Sequence, residues 1–106
     1  MSLTITSHEL ADVELAEAAK YYDSEVPGLG QDFLTEFEHG ISQIRAHPEG
    51  APIILGVVRR KLLRRFPYSI IYSLHEERLF ILAVANQPRR PFYWRGRLES
   101  GDFAAA

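Results

Sequence analysis

The chain has 106 residues, of which 46% are hydrophobic and 25% are charged, a length and composition that predict one globular domain with its own core. It contains no cysteine, which excludes disulfide bonds, thiolate chemistry and cysteine-based metal sites. No apolar stretch approaches the roughly 20 residues of a membrane-spanning helix, and the N-terminus lacks the pattern of a secretion signal, so we expect a cytoplasmic protein with no membrane partner.

The net charge of -2 conceals an uneven distribution. Residues 1–50 contain ten acidic and two basic residues, whereas residues 51–106 contain ten basic and four acidic residues. This asymmetry predicts two electrically distinct faces, one of which suits a polyanion or an acidic protein partner. The alternative is that the acids solvate helices and the bases protect the edge of a sheet.

The first half of the chain is predicted to contain a short strand and two helices. Residues 3–7 alternate as in a strand, and Thr6 with Glu9 forms a capping-box pattern at the start of a helix over residues 10–25. The Pro-Gly-Leu-Gly stretch that follows cannot continue this helix. A second helix is predicted over residues 31–46, which makes a helical hairpin.

Gly40 and four glutamates within the two predicted helices are expected to have structural rather than catalytic roles. Gly40 weakens its helix, so we expect it to permit close packing of the second helix on the first. The acidic pairs Glu14 with Glu17 and Glu36 with Glu38 fall on predicted polar faces, and we interpret them as solvated surface residues rather than catalytic groups.

The second half of the chain changes to the two-residue periodicity of β-strands. Strands are predicted over residues 57–63, 68–74 and 78–86, and their short connections favour antiparallel neighbours. The predicted fold class is α+β, with a helical hairpin packed on one face of a small antiparallel sheet of about four strands. The other face needs a cover, from the C-terminal segment or from a bound partner. Residues 1–98 are expected to form the single domain, and residues 99–106 a loose tail.

The familiar motifs of enzymes and metal sites are absent from the sequence. The four histidines stand at no metal-ligand spacing, and neither a phosphate-binding glycine loop nor a nucleophile elbow occurs. We therefore predict no metal site and no cofactor.

The remaining chemical signal lies in two segments that are both basic and aromatic. Residues 59–66 and 88–97 contain nine of the twelve cations, and simple antiparallel strand order would bring them to one end of the sheet. Arginine grips phosphate or carboxylate, and aromatic rings stack on bases or on a partner's side chains. The predicted binding residues are Arg59, Arg60, Lys61, Arg64, Arg65, Arg89, Arg90, Phe92, Tyr93, Trp94, Arg95 and Arg97.

Structural explanations compete with this interpretation. Tyr68, Tyr72 and Trp94 are typical of aromatic residues that pack on a sheet. The arginines could instead pair with the acidic helices, although exposed pairs are worth only ~0 to 1 kcal/mol and give little reason to gather nine cations.

Several motifs stand in the order and spacing of a known family: Glu-Ala-Ala-Lys-Tyr-Tyr from residue 17, Pro-Gly-Leu-Gly from 27, Arg-Phe-Pro-Tyr-Ser-Ile-Ile-Tyr from 65 and Arg-Arg-Pro-Phe-Tyr-Trp-Arg-Gly-Arg from 89. From Leu10 to Arg97 the chain resembles the RelE/ParE superfamily of toxins from type II toxin-antitoxin systems, often labelled plasmid stabilisation proteins. The resemblance implies a RelE/ParE-like α+β fold. It also implies a cognate antitoxin as partner, whose C-terminal segment would cover the second sheet face, within a homodimer or a toxin-antitoxin hetero-oligomer.

The resemblance implies two mechanisms of growth inhibition. ParE-like binding to DNA gyrase or another protein target requires only a surface, and the pI of about 6.1 favours it because ribosome-bound ribonuclease toxins tend to be strongly basic. RelE-like cleavage of messenger RNA on the ribosome, which needs no metal, would make Arg65, Arg89 and Tyr93 catalytic. Asn86 stands where such relatives often have histidine, and an amide cannot exchange protons near neutral pH. A homologue that has lost its activity is a further alternative.

Overall fold

The helices and strands follow the predicted order along the chain. The computed structural model describes residues 3–99, and the tail predicted to be loose lies outside them except for its first position. The elements are β1 (Thr4–Ser7), α1 (Glu9–Glu25), α2 (Leu29–Ala46), β2 (Ile53–Leu55), β3 (Val58–Leu62), β4 (Tyr68–His75), β5 (Arg78–Asn86) and a C-terminal 3-10 helix, η1 (Tyr93–Glu99). No helix within this described part is long and apolar enough to cross a membrane.

The five strands form one sheet in the order β1-β5-β4-β3-β2. Strands β2 to β5 pair antiparallel with their neighbours, whereas β1 runs parallel to β5. The predicted α+β class with a helical hairpin on one face is confirmed. The described part of the chain has five strands where about four were predicted, because β2 has only three residues in a stretch that the sequence indicates as a connection. The turn from β2 into β3 contains Gly56, whose φ is 56°.

The start of α1 differs from the predicted capping box. His8 is the N-cap, and its Nδ1 accepts a hydrogen bond from the backbone N–H of Leu10 at 3.1 Å. Thr6 belongs instead to β1, where it lies opposite Phe80 of β5. The imidazole therefore satisfies one of the free N–H groups of the first helical turn.

Asp23 fixes the reversal between the two helices. Its Oδ1 accepts hydrogen bonds from the backbone N–H groups of Gly28 and Gly30, each at 3.0 Å. Gly28 has a φ of 91°, in the left-handed region that glycine adopts without strain. A side chain at Gly30 would collide with the carbonyl oxygen of Ala19, so this glycine is where α2 comes close to α1.

Gly40 permits α2 to approach the sheet rather than α1, which corrects the expectation from the sequence. A Cβ at this position would lie 2.9 Å from Cδ1 of Ile70 and 3.3 Å from Cδ2 of Leu63. The missing side chain therefore lets the hairpin lie directly on the apolar residues of the sheet.

Buried apolar residues form a cluster on each face of the sheet. The first cluster lies between the helices and the sheet and includes Phe33, Ile44, Ile70, Tyr72 and Leu79. The second lies on the opposite face and includes Val58, Ile71, Leu82, Ala83 and Trp94. The C-terminal 3-10 helix thus supplies part of the cover that the second face requires.

Candidate functional site

A groove of about 400 Å³ lies on the second face of the sheet, between β3 and the segment that follows β5. We define the groove by the residues that line it, which combine apolar side chains with arginines. They are Ile54, Arg60, Leu62, Ser69, Ile71, Ala85, Asn86, Gln87, Arg89, Arg90, Pro91, Phe92, Tyr93 and Trp94.

Side chains of β3, β4 and β5 form the floor and one wall of the groove, because the register of these strands places them on one face. Arg60 lies opposite Ile71, Leu62 lies opposite Ser69, and Ser69 in turn lies opposite Ala85. Directly opposed residues project from the same face, so these five side chains share one surface. Ile71 and Ala85 are buried, while Leu62 is 52% exposed and leaves an apolar edge open to a partner.

The other wall is the segment between β5 and η1. This segment packs on the second apolar cluster through Trp94, a residue that is only 3% exposed. Phe92 remains 44% exposed, with its ring centroid 5.7 Å from that of Trp94. The φ of Phe92 is 60°, a left-handed conformation that costs an aromatic residue about 1 to 3 kcal/mol. The surrounding contacts therefore hold this ring at the groove against a local preference.

Glu14 lies within a polar cluster instead of on a solvated helix face, which corrects the interpretation drawn from the sequence. Its side chain is 14% exposed. Its two oxygens accept hydrogen bonds from Nη1 and Nη2 of Arg97, at 3.0 and 2.8 Å. They also accept from the Tyr93 hydroxyl at 2.8 Å and from the backbone N–H of Val84 at 3.0 Å. Glu14, Tyr93 and Arg97, here called the Glu14 cluster, join α1 and β5 to η1.

The pKa values of Glu14 and Tyr93 are shifted in opposite directions. Burial by itself raises the pKa of Glu14, but the hydrogen bonds from Arg97, Tyr93 and Val84 outweigh it and hold the pKa below its ordinary value of 4.5. Burial and the hydrogen bond to the Glu14 carboxylate raise the pKa of Tyr93 above its ordinary value of 10.0. At neutral pH the carboxyl group is therefore ionised, and the phenol keeps its proton.

Arg89 lies over the ring of Tyr93 at the boundary of the groove. Its Cζ is 3.8 Å from the ring centroid, and Cζ of Arg97 is 5.2 Å from the same centroid. Both distances are within the range of favourable cation–π contacts. The ring thus links the Glu14 cluster to Arg89, which lines the groove.

The two basic segments meet at one end of the sheet. The backbone N–H of Gln87, just after β5, donates to the carbonyl of Pro67, just before β4, at 2.8 Å. Arg60, Arg89 and Arg90 are exposed and gather around the groove. These three residues are the predicted cations that the structure places around the groove.

Three other predicted cations face α2 instead of the groove. Lys61, Arg64 and Arg65 line a separate cavity of about 340 Å³ together with residues of that helix. Arg65 lies 3.8 Å from Asp32 in a pair whose side chains are 61% and 53% exposed. These side chains therefore lie on the helical side of the sheet.

The remaining predicted cations have separate environments. Nη1 of Arg59 donates to the carbonyls of Glu49 and Ala51, at 3.0 and 2.7 Å, and so ties the connection after α2 to β3. Arg95 is exposed on η1, and Arg97 is engaged with Glu14.

The groove presents groups for binding more than groups for proton transfer. The described residues that line it include no histidine, lysine, aspartate or glutamate. Its apolar floor and three arginines suit a ligand that carries both apolar and negative groups. Within residues 3–99, no group of three or more histidine, aspartate or glutamate side chains is placed to hold a metal ion.

Comparisons with known proteins support the architecture. Neither the protein-family models nor the curated proteins give a match to this chain. Among solved structures, the chain is similar to one chain of the chromosomal ParDE TA system from P. aeruginosa, with a TM-score of 0.70 at 16% sequence identity. The likeness covers 80% of this chain and 96% of that chain. The protein therefore has a RelE/ParE-like fold, which confirms at the level of the fold the resemblance carried by the sequence motifs.

Proposed function

We propose that the chain is the toxin of a type II toxin-antitoxin module, which a cognate antitoxin holds inactive and which inhibits growth in the cytoplasm when free. Its action is ParE-like binding to a protein target, with DNA gyrase as the first candidate. The observation that carries this proposal is the groove, where three arginines surround an apolar floor on a fold shared with a chain of a ParDE system.

The chemistry of the groove favours binding over RNA cleavage. Attack of a ribose 2'-hydroxyl on phosphate needs a proton acceptor, and arginine holds its proton too firmly to serve. The Tyr93 hydroxyl already donates to Glu14, and its raised pKa disfavours the phenolate that would be needed. Asn86 contributes only an amide. The remaining groups act by charge, shape and apolar contact, which is sufficient for a protein target.

The same groove gives the antitoxin a means of inhibition. An antitoxin segment with acidic and apolar side chains would neutralise Arg60, Arg89 and Arg90 and cover the exposed Leu62 and Phe92. Occupation of the groove by this segment would block contact with the target, so that inhibition and activity depend on one surface.

Controlled expression of matched variants tests the proposal. We expect the wild-type chain to arrest bacterial growth and the purified protein to inhibit DNA supercoiling by gyrase while cell-free translation continues. The double variant Arg60→Ala/Arg90→Ala should lose both effects. Arg78→Ala is the control, because this exposed arginine begins β5 at the opposite end of the sheet, and it should act like the wild type.

Other outcomes would redirect the assignment. Arrest of translation without loss of supercoiling would favour the ribonuclease alternative. The association constant for RNA would then fall steeply with salt, by roughly 0.7 logarithmic units per contacted phosphate of a single strand for each tenfold rise in salt concentration. Equal activity of the double variant and the wild type would remove the groove from the mechanism. Absence of growth arrest by the wild type would contradict the proposed function.

A further inference from the structure

We propose that Glu14 is a positioning residue of the groove, which acts through the ring of Tyr93 to hold Arg89 in place. This inference rests on the proposed function only where activity is measured. Glu14 itself lies on α1 and does not line the groove. Its influence on Arg89 passes through contacts that the structure describes.

The first step is the attachment of Glu14 to the edge of β5. Pairing with β1 ends at Ile81, which lies opposite Ser7, although β5 continues to Asn86. Beyond that point no strand among the described residues pairs with this edge of β5. Arg97 donates to the carbonyl of Leu82 at 2.8 Å, and Glu14 accepts from the N–H of Val84. The Glu14 cluster therefore occupies the place where β1 stops.

The second step fixes the ring of Tyr93. The hydroxyl donates to Glu14 at one end of the ring, while the next residue, Trp94, is buried in the second apolar cluster. The ionised carboxylate is also held from the far side by both Nη atoms of Arg97. Such charge-assisted, two-pronged contacts restrict orientation as well as distance.

The third step concerns Arg89. Among the residues that the structure describes, Arg89 forms no ion pair with a carboxylate. Its guanidinium Cζ instead lies 3.8 Å from the centroid of the Tyr93 ring. An arginine side chain otherwise has many rotamers, and their restriction before binding lowers the entropy lost on association. Glu14 thereby presents a groove cation in one orientation without touching the ligand.

Side-chain NMR of the full-length protein tests this inference without any ligand. The ring of Tyr93 should shift the Arg89 side-chain protons upfield in the wild type, and Tyr93→Leu defines the spectrum without the ring. We expect Glu14→Gln to lose most of this shift while backbone signals of α2 and β2–β4 stay in place. The control Glu38→Gln removes an exposed acid from α2 and should keep the shift.

An unchanged Arg89 shift in folded Glu14→Gln would overturn the inference, even if that variant were less stable. Should Glu14→Gln fail to fold, Tyr93→Phe provides the second measurement, because it keeps the ring and the Glu14–Arg97 pair but removes their hydroxyl link. The upfield shift should then shrink. An Arg89 shift equal to that of the wild type would overturn the inference.

Growth arrest supplies an independent readout. Glu14→Gln and Arg89→Ala should each weaken the arrest, and the double variant should be no weaker than Arg89→Ala alone, because both changes remove the same contribution. A further loss in the double variant equal to that of Glu14→Gln alone would contradict positioning through Arg89. If the wild type does not arrest growth, the proposed function fails, while the NMR result still decides the positioning role.

Discussion

Glu14 and Arg97, 83 residues apart in the sequence, form an ion pair through both guanidinium Nη atoms and both carboxylate oxygens. The side chains are 14% and 12% exposed. The pair attaches the C-terminal 3-10 helix to the first helix and to the free edge of the longest strand. The wall of the groove is therefore anchored from outside the groove.

Replacement of Arg97 by alanine should destabilise the protein by about 3 kcal/mol. The change leaves the Glu14 carboxylate without its cation in a poorly solvated site, and single removal from buried pairs is costly for this reason. It also removes the donor to the carbonyl of Leu82. Urea unfolding measures the loss. Arg95→Ala is the matched control, since this exposed arginine lies on the same 3-10 helix, and a loss as large as that of Arg97→Ala would contradict the specific role of the pair.

The lowered pKa of Glu14 predicts a pH dependence of stability. A carboxyl group whose pKa is lower in the folded than in the unfolded state stabilises the fold above its ordinary pKa of 4.5, and this contribution is lost as the pH falls through the folded-state pKa. The free energy of unfolding of the wild type should therefore decrease more steeply below about pH 4.5 than that of Glu14→Gln. Urea titrations at several acidic pH values measure both slopes, with Glu38→Gln expected to follow the wild type. Parallel slopes for Glu14→Gln and the wild type would contradict the lowered pKa.

Two glycines of α2 should respond differently to replacement by alanine. A Cβ at Gly30 would collide with the backbone carbonyl of Ala19, which cannot move without separating the helices, so Gly30→Ala should cost about 2 kcal/mol. A Cβ at Gly40 meets the flexible end of Ile70, and alanine favours the helix by about 1 kcal/mol, so Gly40→Ala should stay within about 1 kcal/mol of the wild type. Thermal unfolding compares them, and the reverse order would contradict the packing described for the hairpin.

Local periodicity was sufficient to predict the strands and helices that bury a regular face. The strand over residues 78–86 has the predicted limits, the one over 68–74 is one residue shorter than β4, and the one over 57–63 is one residue longer than β3 at each end. The three residues of β2 are too few to show an alternation, which explains why this strand is absent from the prediction. The parallel pairing of β1 with β5 joins residues about 74 positions apart, a distance at which periodicity carries no signal.

The groove could be predicted in part, but the cluster that supports it could not. The convergence of basic segments at one end of the sheet follows from antiparallel order, and Arg60, Arg89 and Arg90 do meet there. Helical periodicity assigns Glu14 to a polar face because it ignores segments that pack beside the helix later in the chain. No local pattern indicates the cluster, because Tyr93 and Arg97 lie 79 and 83 residues from Glu14 in the sequence.

Arg65→Ala tests whether the helical side of the sheet contributes to the proposed activity. The pair with Asp32 is long and exposed, so its loss should change the free energy of unfolding by less than about 1 kcal/mol. Because Arg65 faces α2, we expect the variant to retain most of the growth arrest, whereas Arg89→Ala weakens it clearly at similar stability. Growth curves and thermal unfolding of both variants at equal expression provide the comparison. Loss of arrest in Arg65→Ala with an unchanged melting temperature would contradict this expectation. It would show that the surface needed for activity extends from the groove to the residues beside α2.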